Sequence, residues 1–237
     1  RGVQISVASV AILAGILLAI NANNNSQKPS EINKRASSKQ LTLRQALTAP
    51  VVRLFSSLIM ERIGFGLVFF YYPSFFRTIY DLEIEAIALP LAGFAVGNIT
   101  GTLLGGQLAD RFPFRRVSSA GMLLLSGSFA LVWFLWTPGL VTTAFLGIGF
   151  SLFNALSRPP LMAALADVPT EVRGVIMGLN SSVASIGWLT ASVLGGWLYL
   201  VVGFKGFGPL TLFVCVMGAL ILLPDCRQRS NQLTVDE

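Results

Sequence analysis

The chain has 237 residues, of which 54% are hydrophobic and 12% are charged, and its formal net charge is +6. Water-soluble domains carry about 25% charged residues, so this composition excludes water as the main solvent. Lys and Arg lie in short segments between long apolar runs, which is how membrane topology is encoded. The positive charge therefore does not predict a nucleic-acid partner.

Residue types that carry catalysis or bind metals are scarce. The chain has no histidine and two cysteines, Cys215 and Cys226, whose spacing fits neither a metal site nor a disulfide framework. We therefore expect no metal, no cofactor and no catalytic residue. An integral membrane enzyme is the least favoured class.

Seven apolar runs approach the ~20 residues that a helix needs to span the lipid core. Lipid cannot satisfy exposed backbone groups, and the runs show no apolar–polar alternation, so helices are predicted rather than a barrel. The fold class is an all-α membrane protein. The predicted helices are 3–20, 54–76, 86–108, 117–136, 139 to beyond 156, 175–202 and 208–223.

The first run, 3–20, has a competing interpretation as a secretory signal peptide. It is longer than the usual apolar region of about 7–15 residues. The chain starts with Arg1 rather than Met, which favours a fragment or a processed chain. Residues 21–53 are polar and basic and predict a linker, with a short surface helix at 41–47.

The charges of the turns predict the topology. Positive charge marks the cytoplasmic side, which places the linker and the tail 227–237 in the cytoplasm of a plasma membrane or bacterial inner membrane. A signal peptide at 3–20 would put the basic linker outside, against this rule. The cytoplasmic turns and tail carry Arg111, Arg115, Arg116, Arg173, Arg227 and Arg229, and the opposite side collects Asp81, Glu83 and Glu85.

Small residues recur every fourth position in two of the predicted helices. Such stripes allow helix backbones to approach closely in lipid. Ordinary helix packing is the favoured interpretation, and sliding of helices during a conformational cycle stays open. The stripes are Gly93, Gly97, Gly101 and Gly105, and Gly187, Ala191 and Gly195.

Tryptophan and proline positions add two expectations. Trp133, Trp136 and Trp197 lie near the ends of predicted helices, which is typical of the aromatic belt at the membrane surface. Pro159-Pro160 is predicted to interrupt the hydrogen-bond ladder of the helix that starts at 139, because proline lacks an N–H donor.

The turn after the third predicted helix reads Gly106-Gln-Leu-Ala-Asp110-Arg111-Phe-Pro113-Phe-Arg115-Arg116. It resembles the signature loop that links the second and third helices of each half in the major facilitator superfamily. The sequence departs from that loop at Pro113, where the family usually has glycine.

A second turn reads Asp167-Val-Pro169-Thr-Glu171-Val-Arg173-Gly174. It is similar to the Pro-x-x-x-Arg-Gly pattern of many transporters of the same superfamily. The resemblance implies a six-helix C-terminal bundle at 54–226, preceded by 3–20 as the last helix of an N-terminal half that the chain lacks. We therefore expect the isolated chain not to transport.

These two turns predict a conformational latch. An aspartate at a helix end can pair with arginine or with a helix N-terminus in one conformation and release it in another. The alternative is that the arginines only set the topology. The predicted latch residues are Gly106, Asp110, Arg111, Arg115, Arg116, Asp167, Glu171 and Arg173, with Asp110 as the central one.

Charges inside lipid-length runs are costly and usually face the bundle interior. We expect Glu61 and Arg158 to pair across the wall of a solute cavity, with Glu61 as a proton-coupling group. The alternative is that Glu61 and Arg62 lie near the interface and extend to water. Further cavity candidates are Tyr71, Tyr72 and Asn154.

The resemblance implies secondary active transport by alternating access. Its drug-efflux branch is the closest in pattern, which implies export of a small organic molecule powered by the proton gradient. The expected partners are the lipid bilayer, the N-terminal half and the solute. Uptake of a sugar or organic acid, or a receptor-like protein that does not transport, are the open alternatives.

Overall fold

The computed structural model describes residues 47–111, 114–137 and 139–223, without the side chains of residues 170 and 171. Within these ranges the chain forms six α-helices and one 3-10 turn, Gly203–Gly206. The predicted helix 3–20, most of the linker, Pro113 and the tail lie outside the described residues. The helices are α1 (Ala49–Tyr80), α2 (Ile84–Arg111), α3 (Arg115–Trp136), α4 (Leu140–Ala166), α5 (Thr170–Val202) and α6 (Phe207–Leu222).

Helix α1 begins at Ala49, inside the segment predicted as linker. Pro50 lies in its first turn, where a missing N–H leaves no helical hydrogen bond unmade. The helix ends at Asp81, whose φ of 51° is left-handed, a conformation that Asp tolerates better than most residues. The early start places Glu61 about three turns inside the helix, rather than two.

Helix α4 continues through Pro159 and Pro160 to Ala166, so the prolines remove hydrogen bonds from the ladder without ending the helix. Pro160 cannot donate to the carbonyl of Leu156, which loses its helical partner. Gly105 of α2 packs at this point: a Cβ on it would lie 2.8 Å from the Leu156 oxygen and 3.0 Å from the Pro159 ring. A neighbouring helix therefore covers the weakened turn.

The outer surface of the helices is apolar. Leu89 is 81% exposed and Leu200 is 84% exposed, and apolar surface of this extent is unfavourable in water. Five runs of the described helices are long and apolar enough to cross a membrane, the fifth being Val172–Leu222, which joins α5 to α6.

Two hydrophobic clusters fill the interior. One contains Leu54, Leu58 and Leu161 and lies toward the α2–α3 and α4–α5 turns. We call the end of the bundle that carries these two turns the arginine end. The other is aromatic and lies toward the opposite end. Trp133 belongs to the aromatic cluster and is fully buried, so its predicted place in the interfacial belt is wrong.

Both small-residue stripes lie at close helix crossings. Along α2, added Cβ atoms at Gly97 and Gly101 would contact the backbone oxygens of Ile148 and Leu152 in α4. Along α5, a Cβ at Gly187 would contact Arg62 of α1. The stripes therefore allow α2 to pack closely on α4, and α5 to pack closely on α1.

Gly101→Ala should lower the free energy of unfolding by about 1–3 kcal/mol, because the new methyl group meets the rigid Leu152 carbonyl. Chemical denaturation in detergent micelles measures the change. Gly121→Ala is the matched control, since a Cβ there meets nothing within 4 Å. Equal stability of the two variants would contradict the close crossing.

Candidate functional site

Glu61 is a fully buried carboxylate held between two arginines. Arg158 of α4 donates from Nε to Oε1 of Glu61 at 2.8 Å. Arg62 Nε lies 3.3 Å from the other oxygen, Oε2. A buried charge of this kind requires a counter-charge, and the two arginines supply it to Glu61.

Arg158 is fixed by two further contacts. Its Nη2 donates to Oδ1 of Asn154 at 2.9 Å, one turn earlier in α4. Its guanidinium carbon lies 4.3 Å from the centroid of the Phe65 ring, a cation–π distance. Since Phe65 is one turn beyond Glu61 in α1, the arginine is held against α1 by two successive turns.

Two atoms of this cluster have no hydrogen-bond partner among the described residues. They are Oε2 of Glu61 and Nδ2 of Asn154, both buried. Buried polar atoms in native proteins are rarely left unpaired. Oε2 keeps its 3.3 Å ion-pair contact with Arg62 but accepts no hydrogen bond, and Nδ2 donates none, so each atom has capacity for one hydrogen bond that the described protein groups do not provide.

The charge of the cluster does not balance. Among the described residues, Glu61 is the carboxylate that forms an ion pair with Arg62 or Arg158. Two guanidinium groups against one carboxylate leave a positive excess. The side chains of Arg62 and Arg158 are 18% and 15% exposed, whereas that of Glu61 is fully enclosed.

Aromatic rings continue from this cluster along α1. Phe65 stacks on Phe69 with centroids 5.6 Å apart. Trp188 of α5 meets Phe65, Phe69 and Phe70 edge-on at 5.7, 5.8 and 5.2 Å. Phe69 and Phe70 are 39% and 42% exposed. Sequence reasoning missed this group, although Glu61, Phe65 and Phe69 recur at helical spacing.

The two predicted tyrosines contact other helices. The Tyr72 hydroxyl donates to the Pro90 carbonyl at 3.3 Å, and its ring meets Trp133 edge-on. The Tyr71 hydroxyl donates to the Ser192 carbonyl at 3.2 Å. Within the described chain, neither hydroxyl bonds to Glu61 or Arg158, and these contacts are those of packing residues.

At the arginine end, Arg115 joins three elements. Its Nη1 lies 2.8 Å from Oδ2 of Asp167, in the turn after α4, and its Nε donates to the Ala109 carbonyl at 3.2 Å. Arg115 and Asp167 are 34% and 66% exposed. Pairs this exposed contribute little to stability, typically 0 to ~1 kcal/mol.

The other predicted latch residues have looser surroundings. Asp110 and Arg111 are exposed, and in the described part of the chain Asp110 forms neither an ion pair nor a hydrogen bond. Arg173 donates from Nη2 to the Val168 carbonyl at 3.4 Å. Arg116 and Gly106 are half-buried, and the side chain of Glu171 is outside the described set.

A buried ion pair in lipid-length helices is costly, and in an integral membrane protein such a pair marks a candidate functional site inside the bilayer. The sequence profile of the Major Facilitator Superfamily matches residues 54–237. The chain belongs to this superfamily, and it is an integral, multi-pass membrane protein.

Individual relatives agree with this assignment. An uncharacterized MFS-type transporter of Bacillus subtilis, YceJ, is 23% identical over 90% of this chain and 52% of its own length. Multidrug resistance protein MdtH of Shigella dysenteriae is 29% identical over 51% of the chain and 28% of its own length. The Staphyloferrin B transporter of Staphylococcus aureus is 25% identical over 68% and 40%. The chain spans about half or less of these relatives.

Removing one partner of the buried pair should destabilise the protein far more than removing one partner of the exposed pair. Arg158→Gln leaves Glu61 buried without its closest counter-charge and should cost about 3–5 kcal/mol. The matched variant Arg115→Gln should cost at most ~1 kcal/mol. Denaturation in micelles measures both.

The double variant Glu61→Gln/Arg158→Gln completes the cycle. It should be less destabilised than the sum of its single variants, because neither partner is then left as an unpaired charge. Additive losses would show that the two side chains do not depend on each other.

Proposed function

We propose that this protein exports small organic solutes across a membrane by alternating access, in exchange for protons. Family membership and the multidrug resistance relatives support transport and its outward direction. The observation that carries the proposal is the enclosed Glu61–Arg158 pair. The solute is moved without chemical change, so the protein is not an enzyme.

The pair provides two states that a proton can interconvert. Ionised Glu61 holds Arg158 and Arg62, while protonation removes its charge and frees Arg158. A carboxylate separated from its counter-charges in a dry environment favours the neutral form. Oε1 accepts the short hydrogen bond from Arg158, whereas Oε2 has only the longer ion-pair contact with Arg62, so Oε2 is the oxygen that the incoming proton reaches with the smaller loss of contacts.

Exchange requires that the proton and the solute bind in alternation. A solute that needs ionised Glu61 binds when the proton has left, and the returning proton expels it. Each species then drives the other in the opposite direction, as linked equilibria require. Glu61 is the coupling group, and Arg158 and Asn154 are positioning residues in this proposal.

The working transporter contains more than the described helices. The chain spans 52% of YceJ, which supports a second, N-terminal half as the partner of this bundle. In our proposal 3–20 is the last helix of that half, 21–53 contains the linker, and 54–226 forms the C-terminal bundle. The linker, the arginine end and the tail 227–237 face the cytoplasm of a plasma or bacterial inner membrane.

The arginine end provides the latch in this scheme. The Arg115–Asp167 pair ties the turn after α2 to the turn after α4. Exposed Asp110 is available to a group on the N-terminal half. Because the pair is exposed, its loss changes the balance between conformations rather than the stability of the fold.

Glu61→Gln in the full-length transporter should abolish proton-driven solute movement, because an amide cannot cycle between charged and neutral forms. Flux in proteoliposomes under an imposed pH gradient measures this effect. Glu85→Gln, which removes an exposed carboxylate at the start of α2, is the matched control. Coupled flux that survives Glu61→Gln contradicts the proposed function.

A charge exchange tests the latch. Arg115→Asp and Asp167→Arg should each slow transport several-fold, because the attraction within the native pair is replaced by repulsion between like charges. The double variant should restore the rate, because it rebuilds the pair in reverse. Two slow single variants with an equally slow double variant would mean that these residues act separately.

A further inference from the structure

We propose that the transported solute is an uncharged aromatic molecule that carries an O–H or N–H donor. This inference rests on the proposed exchange at Glu61 and narrows it to a substrate class. It follows from the unpaired atoms, the charge and the aromatic rings around that residue.

The unpaired atoms specify a donor and an acceptor. Arg158 bonds to Oε1 of Glu61 and to Oδ1 of Asn154, which leaves Nδ2 of Asn154 without an acceptor and Oε2 of Glu61 with the 3.3 Å ion-pair contact to Arg62 but no hydrogen bond. A hydroxyl or amine of the solute donates to Oε2 and accepts from Nδ2. This one group satisfies both atoms, which the described protein groups leave unsatisfied.

The charge of the cluster argues against ionic solutes. A cation would approach two guanidinium groups set against one carboxylate. An anion would bind the guanidinium groups best when Glu61 is protonated, so it would travel with the proton rather than against it. A neutral solute with a hydrogen-bond donor competes with the proton for Oε2. Proton and solute then bind in alternation, as exchange requires.

The aromatic rings supply a surface for the body of the solute. Phe65 contacts Arg158, and Phe69 and Trp188 extend the surface away from the charges. From Glu61 to Phe69 the helix rises about 12 Å, which suits a small molecule with a polar group at one end. Flat rings stack favourably on such edges and faces.

Four naphthalene probes separate the alternatives in the purified full-length transporter. They are 2-naphthol, 2-methoxynaphthalene without a donor, the anion 2-naphthoate, and the cation trimethyl(2-naphthyl)ammonium. Calorimetric titration in two buffers of different ionisation enthalpy gives both the affinity and the number of protons released or taken up.

We expect 2-naphthol to bind about tenfold or more tightly than 2-methoxynaphthalene, the loss expected when a buried hydrogen bond is removed. Its binding should release protons and weaken as the pH falls. Tightest binding by the cation overturns the inference. Tightest binding by 2-naphthoate with proton uptake, or equal binding of the two neutral probes, overturns it too.

Variants locate the probe. Asn154→Leu should weaken 2-naphthol and 2-methoxynaphthalene by a similar factor, because the oxygen of either probe can accept from Nδ2, whereas the preference for 2-naphthol depends on donation to Oε2 and should remain. Trp188→Leu should weaken both neutral probes, whereas Trp197→Leu, which removes an exposed ring elsewhere in α5, should weaken neither. Unchanged affinity of both neutral probes in Asn154→Leu overturns the assigned contact.

Experiments on the full-length transporter distinguish a failure of the proposed substrate class from a failure of the proposed exchange mechanism. If Glu61→Gln loses coupled flux but the wild-type transporter shows no preference for 2-naphthol, only the substrate class fails. If Glu61→Gln keeps coupled flux, the exchange mechanism fails first.

Discussion

The contact between Glu61 and Arg158 determines how the helices of this bundle can pack. An ionised carboxylate this far inside an apolar protein requires a counter-charge, and Arg158 can reach it in only a narrow range of helix registers. Phe65 and Asn154 then fix the arginine from either side. The pair lies where the two apolar clusters meet, so it separates an aliphatic core from an aromatic one.

Much of this arrangement could be predicted from the sequence because lipid imposes strict requirements. The length of an apolar run fixes a helix within a few residues, and six of the seven predicted helices lie within the described residues. A charged residue inside an apolar run requires a partner of opposite charge. The contact between Glu61 and Arg158 could therefore be predicted from the sequence. Their functional roles stay predictions.

Other features could not be predicted, because an apolar residue in a membrane helix can face either lipid or protein and the sequence does not distinguish the two. A tryptophan suits both lipid and protein, so sequence alone could not place Trp133 in the core. The lost hydrogen bonds at Pro159-Pro160 follow from the sequence, but the close packing of Gly105 of α2 against this turn of α4 does not. The sequence does not distinguish Asp110 from Asp167 as the ion-pair partner of Arg115. The geometry of the turns pairs Arg115 with Asp167.

The crossing of Gly105 over Pro159 has a mechanical consequence. With no side chain between them, the backbones of α2 and this turn of α4 are in close contact, so we expect the two segments to move together. Arg158 is adjacent to Pro159, and Asp110 lies about 7–8 Å beyond Gly105 along α2. A small displacement of the buried arginine would therefore be carried along α2 to the surface, where it becomes a larger shift.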